Sequence, residues 1–493
     1  MRIEVDRRTG LPVNEQIAGQ LRARIAGGGL APGERLPAIR ELARELGVNR
    51  DTVAAAYERL AAEGVVESTV GRGTFVAAHA APAPEPGQIE PPISPLVERL
   101  LEFERARPRF GDAQGVVALH ALVPEPALYP ADAFRRALNR VLAEGGADLL
   151  QYGSPQGHAG LRQELAARLC DAGVRAERDE LVLCHGASQG ISLAIRLFAA
   201  PGDAVAVEDP TYANVLATLL SLGIRPVAVP MSERGPDLEA LERTLARPEV
   251  KLFYTIPTFH NPMGISTSLA HRRELLALAA RCGKPLVEDA FELDLWDGRR
   301  PPAPLAALDT RGLVVLLFSF SKSLFPGARV GSLLARGRAV EALLALKRAS
   351  DLSDALPLQA ALAEFLRSGA YDRHLAGLRR VLAGRRHALL RALEEHMPPG
   401  TRWTTPAGGY QLWVELPEAI DTAELLADAA RRGVLFAPGY QFHCDGRPSH
   451  ALRLTVAMAD EEAIARGVAI LGALVRERLA AAPRLGNAAA VHV

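Results

Sequence analysis

The sequence has no excess charge of either sign: 57 lysines and arginines balance 57 aspartates and glutamates. A chain-wide field that would gather DNA or a membrane surface is therefore excluded, and any contact with nucleic acid has to come from a local patch. Cysteine is scarce. Cys170, Cys184, Cys282 and Cys444 stand far apart, with no CxxC pair and no cysteine-histidine cluster at metal-ligand spacing, which argues against a disulfide framework or a zinc module. No apolar run approaches the ~18 residues of a membrane span, and the opening MRIEVDRRTG is polar rather than a leader. No internal repeat is present. The expectation is a soluble protein of the reducing cytoplasm, with neither metal nor membrane partner.

What is present is length and apolar content: 493 residues, 48% hydrophobic, enough for two or three units with at least one large core. The stretch AAHAAPAPEPGQIEPPISP, residues 77–95, repeats proline and alanine without helical or strand period and reads as a linker. It separates residues 1–76 from residues 96–493. In the first unit Ile17, Leu21 and Ile25 mark the inner face of one helix, closed by GGGLAPG. A second helix is expected over Ala38–Leu46, then a turn at Gly47 and a third helix capped by Asn49, with Val48 and Val53 in staple positions. VVESTVGRGTFVA follows as two β-rich runs around Gly71-Arg72-Gly73.

Two helices joined by a glycine turn and followed by a glycine-tipped hairpin describe a winged helix-turn-helix. Arg40, Arg50 and Thr52 fall near the exposed end of its reading helix, and Arg72 falls on the wing. Each arginine alone is an ordinary surface charge; their shared placement points to phosphates and base edges. LPAIRELARELGVNRDTVAAAYERLAAEGVVESTVGRGTFV resembles the DNA-binding domain of the GntR family of bacterial regulators. The resemblance implies a double-stranded DNA operator as partner and Arg40, Arg50, Thr52 and Gly71 as residues that approach it. Asp51 departs from the pattern, being acidic where many relatives are neutral. It suits the positive end of the helix dipole and repels phosphate.

The larger unit alternates short apolar runs with helical stretches, as in an α/β domain with a mostly parallel sheet. Lys322 directly follows one such run, LVVLLFSFSK. A lysine there is either a solvent-reaching strand end or an amine whose ammonium is disfavoured by burial and so is free to attack an aldehyde. Its neighbours favour the second. Polar groups collect after the other runs too, where open α/β sheets bind ligands. Gly186, Ala187, Ser188 and Gln189 open a helix whose free N–H groups suit a phosphate, with Arg329 as a positive partner. Asp289 is placed to keep a pyridine nitrogen protonated, Asn261 to donate to a ring oxygen and Tyr212 to cover a ring face. Together with Lys322 as Schiff-base lysine they point to pyridoxal 5′-phosphate.

QYGSPQGHAGLR, EDPTY, HNPMG, VEDAF, SFSKSLFPGARVG, AGGYQLWVELP and ALRLTVA resemble fold-type I pyridoxal-phosphate aminotransferases. The larger unit's length of roughly 400 residues predicts a large lobe to about residue 340 and a smaller α+β lobe after it, and the tail of about 482–493 is expected to be disordered. The resemblance adds Ser319 and Ser321 to the cofactor set, gives Arg453 the carboxylate of an amino acid, and gives Tyr152 the phosphate of a partner subunit, hence a homodimer. A GntR-type unit joined to such a domain resembles the MocR subgroup of regulators, whose members use the aldimine as a sensor of pyridoxal phosphate or of an amino compound. Two departures bear on turnover: Phe291 where a tyrosine meets the cofactor's phenolic oxygen, and Leu122 at a glycine position beside the substrate. HNPMG, conversely, is closer to active enzymes. The favoured function is a transcription regulator sensing through Lys322; the alternatives are a working aminotransferase with a DNA-binding unit, and a DNA-binding dimer with a structural cofactor.

Overall fold

The chain divides into two compact units, Met1–Ile93 and Ser94–Val493. The computed structural model describes residues 3, 5, 13–26, 30, 33–62, 65–69, 73–77, 91–108 and 115–481. Gly71, Arg72, most of the linker and the tail 482–493 lie outside the described residues.

The first unit runs through helices Val13–Ala26, Ile39–Leu46 and Arg50–Ala62 into antiparallel strands Val66–Thr69 and Gly73–Val76. Gly47 ends the second helix in the left-handed region at φ 62°, which a glycine adopts without steric strain. Asn49 Oδ1 then accepts the Asp51 N–H at 3.2 Å, starting the third helix one residue later. Ile17, Leu21, Leu42, Val53 and Leu60 form the buried centre, with Val48 packed against it. Tyr57 donates its hydroxyl to Pro37 O at 2.9 Å, tying the third helix to the entry of the second. The hairpin gains a third segment that the sequence reading leaves unassigned: Leu36 donates to Thr74 O and Val76 to Glu34 O, each at 2.8 Å.

The second unit is built on an eight-stranded sheet in the order Leu181–Cys184, Gly331–Leu334, Val314–Ser319, Leu286–Asp289, Val250–Thr255, Ala204–Asp209, Arg225–Ser232, Gly235–Pro236. The pairs from Val314–Ser319 across to Arg225–Ser232 are parallel; Gly331–Leu334 and the far edge are antiparallel. Strands Leu181–Cys184, Ala204–Asp209 and Val314–Ser319 are buried at every residue, because both sheet faces are covered. Helices Gly186–Phe198, Ala213–Ser221 and Arg338–Ser350 supply apolar side chains on one side. Helices Ala159–Asp171, Leu269–Cys282 and Leu356–Arg367 supply them on the other. A second, four-stranded antiparallel sheet joins Arg402–Trp403, Gln411–Glu415, Ala451–Thr455 and Ala437–Pro438, with helices Ala370–His396, Thr422–Arg431 and Glu461–Ala481 around it. Val117–Ala118 returns from the start of the unit to pair with Val434–Leu435.

Strand alternation gives each Glu-Asp pair two destinations. Glu288 turns away to accept the N–H groups of Leu305 and Ala306 at 2.8 Å, while Asp289 turns toward the site. Arg272, fully buried, fixes the neighbouring loops. It donates to the carbonyls of Pro257, Pro302 and Ala303 and to the hydroxyls of Thr258 and Thr267, and burial draws its pKa down to about 10. Removing it leaves these acceptors without their donor. Arg272→Met should lower unfolding free energy by about 3–5 kcal/mol, read by urea titration of the intact chain; a loss under about 1 kcal/mol would mean the loops hold themselves.

Candidate functional site

In the DNA-binding unit Arg40 and Arg50 are exposed and Thr52 is half-buried, each in the first turn of its helix. Asp51 lies at the same end, and its carboxylate is 3.7 Å from the Arg50 guanidinium with both side chains largely exposed. At that exposure the pair is weak, so it leaves Arg50 available to a phosphate while reducing the local positive field.

In the larger unit a cavity of about 120 Å³ opens where Ala204–Asp209, Leu286–Asp289 and Val314–Ser319 end. Its deep end is closed. Asn261 and Asp289 are almost fully buried there. Asp289 Oδ2 accepts the Tyr254 hydroxyl at 2.6 Å, and Oδ1 has no partner among the described residues. Burial raises the Asp289 pKa to about 6 against the pull of the Tyr254 hydroxyl and of the nearby Phe291 N–H. A buried, unpartnered carboxylate oxygen calls for a donor, and a protonated ring nitrogen is such a donor.

The opposite end is open. Ala187 and Ser188 line it from the first turn of helix Gly186–Phe198, with Ser188 and Arg329 exposed. Arg329 donates to His185 O at 3.0 Å and holds φ at 47°, in the left-handed region. Gly186, at φ 74°, lies so near that a Cβ would meet the Arg329 guanidinium carbon at 3.0 Å. Ser319 Oγ accepts the Ser321 N–H at 3.2 Å, and both serines line the wall. Helix N–H groups, hydroxyls and a guanidinium at one mouth suit a phosphate.

Lys322 stands between the two ends, half-buried. Its amine donates to Leu122 O, and its own carbonyl accepts the Tyr410 hydroxyl at 2.7 Å. Desolvation lowers its pKa to about 8, opposed by the field of Glu292 and assisted by Arg453. Glu292 is itself buried, and burial pushes it up to about 8. Arg453 donates to Asn261 Oδ1 at 2.9 Å and to His120 O at 2.7 Å, which leaves the Asn261 amide nitrogen as a donor into the cavity. Its Nε has no partner among the described residues, and burial lowers its pKa to about 10. Tyr212 and Phe291 line the wall.

Of the residues singled out in sequence, the cavity therefore brings together Lys322, Asp289, Asn261, Tyr212, Ala187, Ser188, Ser319, Ser321 and Arg329, with Arg453 hydrogen-bonded behind Asn261. Gln189 is not on the wall: its oxygen accepts the His185 N–H at 2.8 Å and its nitrogen donates to Asp351. Tyr152 is also absent from the wall and is 80% exposed. Sequence reasoning missed Tyr254, Glu292 and the Leu122 carbonyl. Only the parallel register that sets Tyr254 beside Val287 puts its hydroxyl on the Asp289 face, and register is not written in one strand's sequence.

Fold and site define a DNA-binding unit joined to a domain of the pyridoxal-phosphate aminotransferase type. A family model for aminotransferase class I and II matches residues 125–471, and one for bacterial regulatory proteins of the gntR family matches residues 13–76. The chain is 32% identical to the HTH-type transcriptional regulator YdcR of Escherichia coli, covering 94% of this chain and 99% of that one. It is 28% identical to the probable rhizopine catabolism regulatory protein MocR of Rhizobium meliloti, covering 97% and 99%. Its larger unit superposes on LysN, the α-aminoadipate aminotransferase of Thermus thermophilus complexed with N-(5′-phosphopyridoxyl)-L-leucine, at TM-score 0.70 and 33% identity, covering 79% of this chain and 96% of that one. The chain belongs to the gntR family of bacterial regulators, in its MocR subgroup, with a class I and II aminotransferase domain whose cofactor is pyridoxal phosphate. The unpartnered Asp289 oxygen, the lowered Lys322 amine and the phosphate-type mouth fit that group.

Among the described residues no helix is long and apolar enough to cross a membrane. Two measurements test the site. Uptake of pyridoxal phosphate by the cofactor-free protein should accelerate as pH rises through about 8, because only the unprotonated amine attacks; a midpoint near the ordinary lysine value of about 10.4 contradicts the desolvated lysine. Asp51→Asn should tighten binding to duplex DNA severalfold by removing a charge that repels phosphate, and Arg50→Ala should weaken it and flatten the salt dependence by about one ion. Fluorescence anisotropy over a salt series reads both; an unchanged slope for Arg50→Ala removes that residue from the interface.

Proposed function

We propose that this regulator senses pyridoxal phosphate, or an amino compound that reacts with it, at the cavity holding Lys322, and that occupancy of the cavity alters its affinity for a DNA operator. The observation that carries the reading is the pairing, in one cavity, of an unpartnered Asp289 carboxylate oxygen with a lysine whose pKa is lowered to about 8. Pyridoxal phosphate, when bound, supplies an aldehyde that condenses with amines and a ring that withdraws electrons once its nitrogen is protonated.

The protein's residues divide the remaining work. Asp289 would hold the proton at the ring nitrogen. The helix N-terminus at Ala187 and Ser188, with Ser319, Ser321 and Arg329, would bind the phosphate. Asn261 would donate from its amide nitrogen to the ring oxygen, Tyr212 would pack on the ring, and Lys322 would offer the amine. Arg453, with a free Nε, receives the carboxylate of an amino-acid effector. Phe291 withholds the hydroxyl that a tyrosine would give, and Leu122 narrows the effector's side of the cavity. A homodimer in the cytoplasm completes the proposal. Its support is the exposed Leu150, Tyr152 and Leu352, and Gly153, whose neighbour in space is Leu356, so two of the exposed segments lie together.

A second reading, a working aminotransferase that also binds DNA, is favoured by the free Arg453 Nε and by an amine able to move protons near neutral pH. One experiment separates them. DNA affinity is measured with and without pyridoxal phosphate and a panel of amino acids and amines, for the wild type and Lys322→Ala, with keto-acid release followed in parallel. Sensing predicts a change of about 5–150-fold in DNA affinity that Lys322→Ala loses; DNA binding indifferent to cofactor and amines sinks it, and sustained keto-acid release establishes turnover instead.

A further inference from the structure

We infer that Lys347, Asp351 and Gln189, backed by Asp354 and His185, form a positioning network that holds the phosphate-binding turn at residues 185–189 in shape. The inference rests on the cavity being a pyridoxal-phosphate site, and it gives a role to residues outside the cavity wall.

Lys347 is fully buried on helix Arg338–Ser350. A buried ammonium is tolerated only with partners, and it donates to Asp351 and Asp354 at 2.9 Å each. The two carboxylates outweigh desolvation and raise its pKa, the opposite of Lys322. Asp351 uses its other oxygen to accept the Gln189 amide nitrogen. That contact fixes which way the Gln189 amide faces, so its oxygen meets the His185 N–H at 2.8 Å. The His185 carbonyl in turn accepts Arg329 at 3.0 Å. Lys347 is thus linked through Asp351, Gln189 and His185 to the guanidinium at the cavity mouth. A second strut runs from Asp354 to the His185 imidazole at 3.2 Å.

The turn needs such support. Gly186 and Arg329 both occupy left-handed backbone and nearly touch, and an L residue holds that conformation only where its surroundings over-determine it. The ligand-type atoms of His185, Asp351 and Asp354 lie within 4.8 Å of one another, and the cation beside them is the Lys347 ammonium. The network therefore fixes the direction of the Ala187 and Ser188 N–H groups and of Arg329 before any phosphate arrives, which is the condition for tight binding of a dianion.

The test compares pyridoxal phosphate with pyridoxal, which lacks the phosphate but keeps the aldehyde and ring. Lys347→Met strips the cation from buried Asp354 and half-buried Asp351 and risks unfolding, so the variants are Gln189→Met and Asp351→Asn, with thermal melting as a fold control. Equilibrium dissociation constants are read from the visible absorbance of the intact protein. The network predicts a loss for pyridoxal phosphate on the order of tenfold, the scale of a hydrogen bond to a charged group, with pyridoxal affinity unchanged. Equal losses for both compounds, or no loss for either, overturn the positioning role. A wild type that binds pyridoxal phosphate no better than pyridoxal sinks the cofactor-site reading itself.

Discussion

The amine of Lys322 is partly withdrawn from water and met by a carbonyl, Leu122 O, instead of a carboxylate. Much of the larger unit's architecture follows from maintaining that condition. A charged lysine gains little from a carbonyl in a low-dielectric cavity, so the neutral amine is favoured and its pKa falls to about 8. Lys347 shows the alternative: two aspartates within hydrogen-bonding distance keep it charged though its side chain is buried. One fold therefore tunes the same side chain in opposite directions, one toward reactivity and one toward rigidity.

The sheet makes this division possible. Its parallel strands end together, and alternation along Leu286–Asp289 sends Glu288 to a structural task and Asp289 to the site, whereas Asp209, at the end of Ala204–Asp209, accepts the Cys444 N–H and Arg447. Glu208 accepts the Thr255 hydroxyl and the Ile256 N–H, and Glu288 caps a short helix, while Asp289 faces the cavity. Arg272 then fixes the loop that carries Asn261. On the proposed reading the closed end would hold the ring and the open end the phosphate, an orientation that follows from which groups the fold buries.

Most of this site was legible in the sequence, because strand-end motifs expose their chemistry: a lysine, an aspartate, an asparagine and a glycine-led helix start, each after an apolar run. The winged helix-turn-helix was legible for a similar reason. Gly47, Asn49 and the Val48–Val53 pair specify a turn locally, without help from distant residues. What stayed hidden depends on contacts far apart in the chain. The pairing of residues 33–36 with the hairpin, the Tyr254 hydroxyl on Asp289 and the Lys347 network arise only when separate segments meet. Gln189 illustrates the limit: it stands in the helix start that the sequence singles out, but its side chain answers to Asp351, 162 residues away.

Lys322 stands apart among very few lysines in that burial leaves its pKa lowered. The chain contains only four: Lys251, Lys284, Lys322 and Lys347. The most direct measurement is to load the intact protein with pyridoxal phosphate, reduce it with borohydride and locate the fixed pyridoxyl group by peptide mapping. A single label on Lys322 is expected. A label on Lys347 or another lysine, or none at all, would contradict Lys322 as the reactive amine.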